Sequence, residues 1–146
     1  MNEELVKLFK RDLEKLITEL EAYPDETAVW RMDGEIKNSA GNLALHLVGN
    51  LNQFIGVKLG GTDFVRDRDA EFASRDLPRA TLISQLRDTI AILERVLSSL
   101  DAATLEATYP QEVLGYPMTT RYFLMHLYGH LNYHLGQINY HRRLLR

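Results

Sequence analysis

The sequence predicts an all-α fold, a four-helix bundle, and three observations carry that expectation. Apolar residues recur at i, i+3 and i+4 in four separate stretches, the period of an amphipathic helix. No stretch alternates apolar and polar residues over a useful length, as a half-buried strand would. All four prolines and the Gly60-Gly61 pair fall between or at the edges of the helical stretches.

The first helix is expected over residues 3–22, where Leu5, Leu8, Phe9, Leu13, Leu16, Ile17 and Leu20 mark one face and Pro24 follows the end. Residues 23–37 read as a connection, with Trp30, the only tryptophan, expected to cover one bundle end. Asn38 or Ser39 can cap a second helix over residues 38–58, which Gly60-Gly61 stops. The stretch 60–77 has no helical period and many charges, and it is long for a link in a small bundle. It reads as a long crossing between the second and third helices, or as a functional loop. Pro78 suits the start of a third helix over 78–100, marked by Leu82, Ile83, Leu86, Ile90, Leu93, Leu97 and Leu100. Residues 101–118 form another loop. Thr119 can cap a fourth helix over 119–144.

A chain of 146 residues fits a single domain, 1–146, with a core large enough to need no staples. The net charge of -3 argues against electrostatic binding to nucleic acid or anionic lipid. The only basic cluster is Arg142, Arg143 and Arg146. There is no cysteine, so disulfides and thiolate ligands are excluded and any metal must be held by N and O donors. The first residues carry acid rather than a basic and then apolar segment, and no apolar run approaches the roughly 18 residues that span a bilayer. The expected location is therefore cytoplasmic.

Four of the five histidines lie in the fourth helix: His126, His130, His134 and His141. At about 100° per residue they share one face roughly 80° wide, with Gln137, and that face overlaps the apolar side of the helix. Neutral imidazoles at i and i+4 can converge on one ion. The bland alternative is histidines satisfied by hydrogen bonds, although stacking them on a half-buried face without a use would cost desolvation. A third donor must come from elsewhere. If the second and fourth helices are neighbours, His46 can join His130 and His134. Periodicity nevertheless places His46 on a polar stripe with Asn42, Asn50 and Gln53, where the bland reading is a solvent-facing side chain.

In the 60–77 loop, Asp67, Asp69 and Glu71 are candidates for an acid, a base or a metal contact. Arg66, Arg68 and Arg75 are candidates for holding a carboxylate or phosphate. The favoured reading of the loop is nevertheless a solvated one whose charges pair with each other. Tyr122, Tyr133 and Tyr140 read as packing residues or partners for histidine N–H groups. Gln137 reads as a support for the histidine cluster.

The phrases H-L-V-G-N-L-N-Q-F-I (46–55), V-R-D-R-D-A-E-F (65–72) and H-L-N-Y-H-L-G-Q-I (130–138) resemble the DinB/YfiT-like superfamily. The resemblance covers nearly the whole chain. It implies a four-helix bundle with a long link between helices 2 and 3, and metal ligands at His46, His130 and His134 binding zinc or nickel with open positions. It gives no role to His126. It also implies a homodimer, for which the wide apolar arc of helix 2 offers a surface. Characterised relatives include transferases that attach low-molecular-weight thiols to small electrophiles. The implied chemistry is a bound thiol whose pKa the metal lowers, with hydrolysis by activated water as the alternative. A non-enzymatic, stress-related bundle with a structural or vestigial metal is the other function class. Each ligand nitrogen is expected about 2.0–2.2 Å from the ion, and binding is expected to fade below about pH 6.

Overall fold

The computed structural model describes residues 2–145. Helix α1 spans Asn2–Glu21 and buries Leu5, Phe9, Leu13, Leu16, Ile17 and Leu20 along one stripe. A single turn, α2, spans Glu26–Val29, where Asp25 accepts the Ala28 N–H. Trp30 follows, its ring flat against Gly41 and its Nε1 donating to Leu77 O at 3.2 Å, so it closes one bundle end as expected.

Helix α3 spans Ala40–Leu51, with Ser39 as cap. It runs on without a break as a π-helical segment, Asn52–Val57, and a last turn, α4, Lys58–Gly60. Gly61 ends it at φ 64, a left-handed conformation that only glycine adopts at little cost. Helix α5 spans Arg68–Ala73, capped by Asp67, inside the stretch that showed no helical period. Helix α6 spans Arg79–Ser99, α7 spans Ala102–Glu106 and α8 spans Thr120–Leu144. The short helices α2, α5 and α7 were not expected. One or two turns are too short to show a period, and only their caps betray them.

Contacts between residues fix the helix directions. Arg79 donates to Leu20 O and Tyr23 O, and Asn2 donates to Leu97 O, so α1 and α6 are antiparallel neighbours. Asp12 meets Asn132 and Glu19 meets Asn139, so α1 and α8 are parallel. His46 meets His130 and Phe54 meets Phe123, so α3 and α8 are antiparallel. It follows that α3 and α6, which also pack together, are parallel. A link between parallel neighbours must travel back the length of the bundle, roughly 30 Å for a 21-residue helix. That is why the α3-to-α6 connection is long, and α5 is packed onto α3 on the way.

The strap changes what α3 exposes. All of Ala40–Leu51 is buried except Leu45, so the apolar arc of helix 2 is covered over that span, while Phe54 and Val57 beyond it are partly buried. The polar stripe is covered too: Asn42 donates to Glu71 O and Ser74 O, both at 2.9 Å. His46 is 7% exposed, against the solvent-facing position that periodicity suggested. No helix among the described residues is long and apolar enough to cross a membrane.

Candidate metal centre

Helix α8 presents His130 and His134 one turn apart, and α3 presents His46 across from them. Nε2 of His130 lies 3.2 Å from Nε2 of His46 and 3.1 Å from Nε2 of His134. One ring nitrogen from each of the three falls within 4.8 Å of the others, the one such cluster of histidine, aspartate or glutamate among the described residues. Two nitrogens about 3.1–3.2 Å apart, each about 2.0–2.1 Å from one ion, subtend roughly 100°, close to a tetrahedral angle.

The hydrogen bonds on the far side of the rings decide the tautomers. His46 Nδ1 lies 3.1 Å from Glu71 Oε1, and His134 Nδ1 lies 2.7 Å from Gln137 Oε1. Both Nδ1 atoms therefore donate, and both Nε2 atoms carry bare lone pairs directed at His130. A single N–H on His130 can satisfy only one of them. The buried Nδ1 of His130 has no partner. Unpaired buried polar atoms are rare and costly. Three converging neutral imidazoles are the donor set that a borderline-soft divalent cation takes.

The support for His46 is built from the 60–77 stretch. Arg66 Nε donates to Glu71 Oε2 at 2.8 Å and its Nη2 to Oε1 at 2.9 Å, a bidentate pair that aims the carboxylate. Gly49 makes room for it: a Cβ there would collide with the Glu71 carboxylate. Glu71 was among the candidate acids, but the favoured reading of its loop was a solvated one. The structure corrects that reading for Glu71 and Arg66, which are inward. Asp67 caps α5 and Asp69 is exposed. Arg68 lies over the Phe72 ring, and Arg75 bonds Asn42 Oδ1 and two backbone carbonyls.

Burial sets the electrostatics. It pushes the His130 pKa down to about 4, helped by the neighbouring His134, His46, His126 and Arg66. Burial also lowers His134, and the bond to Gln137 opposes it in part. For Glu71, burial acts upward, but hydrogen bonds from His46 and Arg66 outweigh it and the net shift is downward. The shifts favour a charged carboxylate at Glu71 and neutral imidazoles at His130 and His134, and an imidazole must be neutral to ligate.

The remaining histidines lie apart from the trio. His126 stacks between Phe123 and His130, with ring centroids 6.5 Å from the latter, and does not join the cluster. His141 is buried, with Nδ1 2.7 Å from Tyr23 Oη and Nε2 2.7 Å from Arg31 O, and serves packing. The tyrosines were expected to pack or to meet histidine N–H groups. Tyr122, Tyr133 and Tyr140 are instead exposed, Tyr122 bonding Tyr116 and Tyr133 standing edge-on to His134. Gly49 escaped the sequence reading; its only signal was a glycine inside a helical stretch, one turn from His46. Asn50 was named only as part of the polar stripe, yet it is buried with Oδ1 unpartnered.

The model of the DinB superfamily matches residues 8–138. Among solved structures, a conserved protein from Enterococcus faecalis aligns over 99% of this chain and 96% of its own, with a TM-score of 0.76 at 17% identity. That degree of identity speaks for a shared fold alone. Among curated proteins none matches.

Proposed function

Because this chain belongs to the DinB superfamily, we propose that His46, His130 and His134 hold a divalent metal, zinc or nickel, and that the centre transfers a low-molecular-weight thiol to a small electrophile. The observation that carries this reading is the convergence of three Nε2 atoms, two with their tautomers set from behind by Glu71 and Gln137. A bound divalent cation would supply a Lewis acid that keeps a thiol as thiolate near neutral pH. The chain has no cysteine, so the nucleophile must arrive with the substrate. Glu71, fixed by Arg66, keeps the His46 proton on Nδ1 and its Nε2 free. Gln137 does the same for His134. Among the described residues no fourth histidine, aspartate or glutamate joins the trio, which favours an open position over the four-ligand pattern of structural zinc. That favours the enzyme over the structural-metal alternative.

The test is direct. Protein purified without a histidine tag is analysed for metal, then assayed for thioether formation from a small thiol and 1-chloro-2,4-dinitrobenzene. The loaded parent is expected to exceed both the apo protein and His130→Ala. Equal rates in all three would refute the transferase reading.

We also propose that a second copy packs on α8. Tyr122, His126, Gly129, Tyr133, Gly136, Tyr140 and Arg143 are all exposed and follow a heptad spacing down its outer face. From Tyr122 to Tyr140 that seam carries no Lys, Arg, Asp or Glu. Gly129 and Gly136 have open space where a Cβ would stand, so tyrosines of an antiparallel copy can seat there. Sedimentation at tens of micromolar is expected to show a dimer that Gly136→Glu converts to monomer. A parent that is monomeric at that concentration would end the proposal.

A further inference from the structure

A cavity of about 420 Å³ lies between α3, the 60–77 strap and α6. That size suits a small-molecule ligand. Leu45, Val48 and Asn52 face it from α3 at i, i+3 and i+7, roughly 120° round the helix from His46. Phe64 and Leu77 of the strap add to its apolar walls. Asp67 of the strap and Asp88 of α6 line it too, and both are exposed, so they stand where it opens to solvent.

One buried polar atom faces this space. Asn52 is 9% exposed. Its Nδ2 donates to Val48 O at 2.8 Å and to Thr89 Oγ1 at 2.9 Å. Both amide hydrogens are thereby used, and because Val48 O can only accept, the NH2 must be the group beside it. The amide cannot turn, and its Oδ1 accepts from no described group. Unlike Asn50 Oδ1, that oxygen is not sealed off, so it opens on the cavity that Asn52 lines.

The charges around the cavity have one sign. No lysine, arginine or histidine lines it. Glu71 does, but Arg66 meets its carboxylate. Asp67 accepts the Ala70 N–H, and neither Asp67 nor Asp88 forms an ion pair among the described residues. An anionic ligand would meet two unmatched carboxylates and a bare acceptor. An apolar one would dry the Asn52 oxygen without pairing it. A primary ammonium carries three donors and the opposite charge.

We propose that this cavity binds a small primary amine as its ammonium ion. The ammonium donates to Asn52 Oδ1 and faces Asp67 and Asp88, while an aromatic or alkyl body lies against Leu45, Val48, Phe64 and Leu77. The site does not rest on the metal-centre reading. The two share only Glu71, which lines the one and supports His46 in the other.

The test titrates the full chain with 2-phenylethylamine, 2-phenylethanol and 3-phenylpropionate at pH 7, by calorimetry. The protein is first treated with chelator, so that no amine binds by ligating a metal. The parent is expected to bind the amine at least about tenfold more tightly than the alcohol, and the acid more weakly than either. Asp67→Asn combined with Asp88→Asn should bring the amine within about twofold of the alcohol. That variant should melt near the parent, because asparagine caps a helix as aspartate does and Asp88 is exposed. Asp88→Asn alone, with a smaller loss of the preference, serves if the double variant does not fold. Ala70→Leu, which fills the cavity from the strap, should weaken amine and alcohol alike. Equal binding of amine and alcohol by the parent would overturn the inference, as would no binding of the amine at millimolar concentration. An amine preference that survives removal of the carboxylates, or binding that Ala70→Leu leaves unchanged, would place the ligand elsewhere and overturn it as well.

Discussion

Helix α8 carries two buried polar clusters, one on each flank, and they are built to different standards. Toward α1, Asp12 is fully buried and receives Arg11 Nε at 2.8 Å, Tyr128 Oη at 2.5 Å and Asn132 Nδ2 at 3.0 Å. Burial pushes its carboxyl up, but those donors outweigh it and hold its pKa at about 2. Toward α3, His46, His130 and His134 direct lone pairs at one another, and two buried atoms, His130 Nδ1 and Asn50 Oδ1, have no partner. A satisfied buried network rigidifies a fold, whereas an unsatisfied one costs stability until something completes it. The α1 side therefore holds the bundle together, whereas the α3 side is left with polar atoms that a bound ion would complete. His141 supports the same distinction. It is a buried histidine on the same helix with both nitrogens occupied.

Substitutions should separate the two clusters. The largest effect is expected at the centre of the trio. His130→Ala should weaken zinc binding at least about a thousandfold by calorimetry, roughly 4 kcal/mol, while the apo protein melts near the parent. Added zinc should raise the melting temperature of the parent and not of this variant.

Next comes the other flank. Asp12→Ala strands the Tyr128 hydroxyl and the Asn132 amide and should cost about 2–4 kcal/mol in urea unfolding. Its zinc affinity should stay within about twofold of the parent. A large loss of metal affinity there would show that the two clusters are not independent.

Smaller effects should follow from the groups behind the ligands. Glu71→Gln and Gln137→Ala should each weaken metal binding about 10- to 100-fold, as loss of an orienting partner typically does. Gly49→Ala should fall in the same range, because its methyl displaces the Glu71 carboxylate. His141→Ala should leave metal affinity nearly unchanged and lower stability by about 1–3 kcal/mol.

The smallest effect is the pH dependence of the apo protein. Unfolded histidines titrate near 6.5, whereas burial holds folded His130 at about 4 and lowers His134 and His141. As pH falls the unfolded chain takes protons first, so stability is fully present above about 6.5 and lost progressively toward about 4. These rings are partly screened, so the loss should be on the order of 1–2 kcal/mol. Asp12 adds nothing above about pH 5. Its depressed pKa gives stability that is present above about 3.9 and lost as pH falls toward about 2. Urea midpoints of the parent and of Asp12→Ala should thus show the same slope between about pH 6.5 and 5 and part below it. The value of about 4 also keeps His130 neutral below the pH 6 at which an ordinary imidazole begins to take a proton, and burial acts on His134 in the same direction.

Much of the architecture was legible in the chain. Long helices declare themselves because five or more turns of buried Leu, Ile and Phe repeat a period that no strand or loop reproduces. Their ends were legible where a side chain does the capping, as Ser39 and Thr119 do. His130, His134 and Gln137 were legible as a group because one helix fixes their spacing. His46 was legible as a ligand only through resemblance, since its own helix placed it on a polar stripe. Glu71, Arg66 and Gly49 form one unit drawn from two elements 17 residues or more apart, and no local period reports such a unit.

What the sequence determined by itself is whatever one helix can hold: the four long helices, their apolar stripes, the histidine row on α8 and the absence of any thiol. What only the tertiary structure decided is where the polar stripe of α3 goes. That stripe is buried because α3 and α6 run parallel, which obliges the chain between them to cross the bundle and lay α5 over α3. The crossing brings Glu71 to His46 and turns α3 toward α8 with Asn50 unpaired between them. Side-chain period encodes which face of a helix is apolar, but only packing decides which polar face is covered and what it meets there.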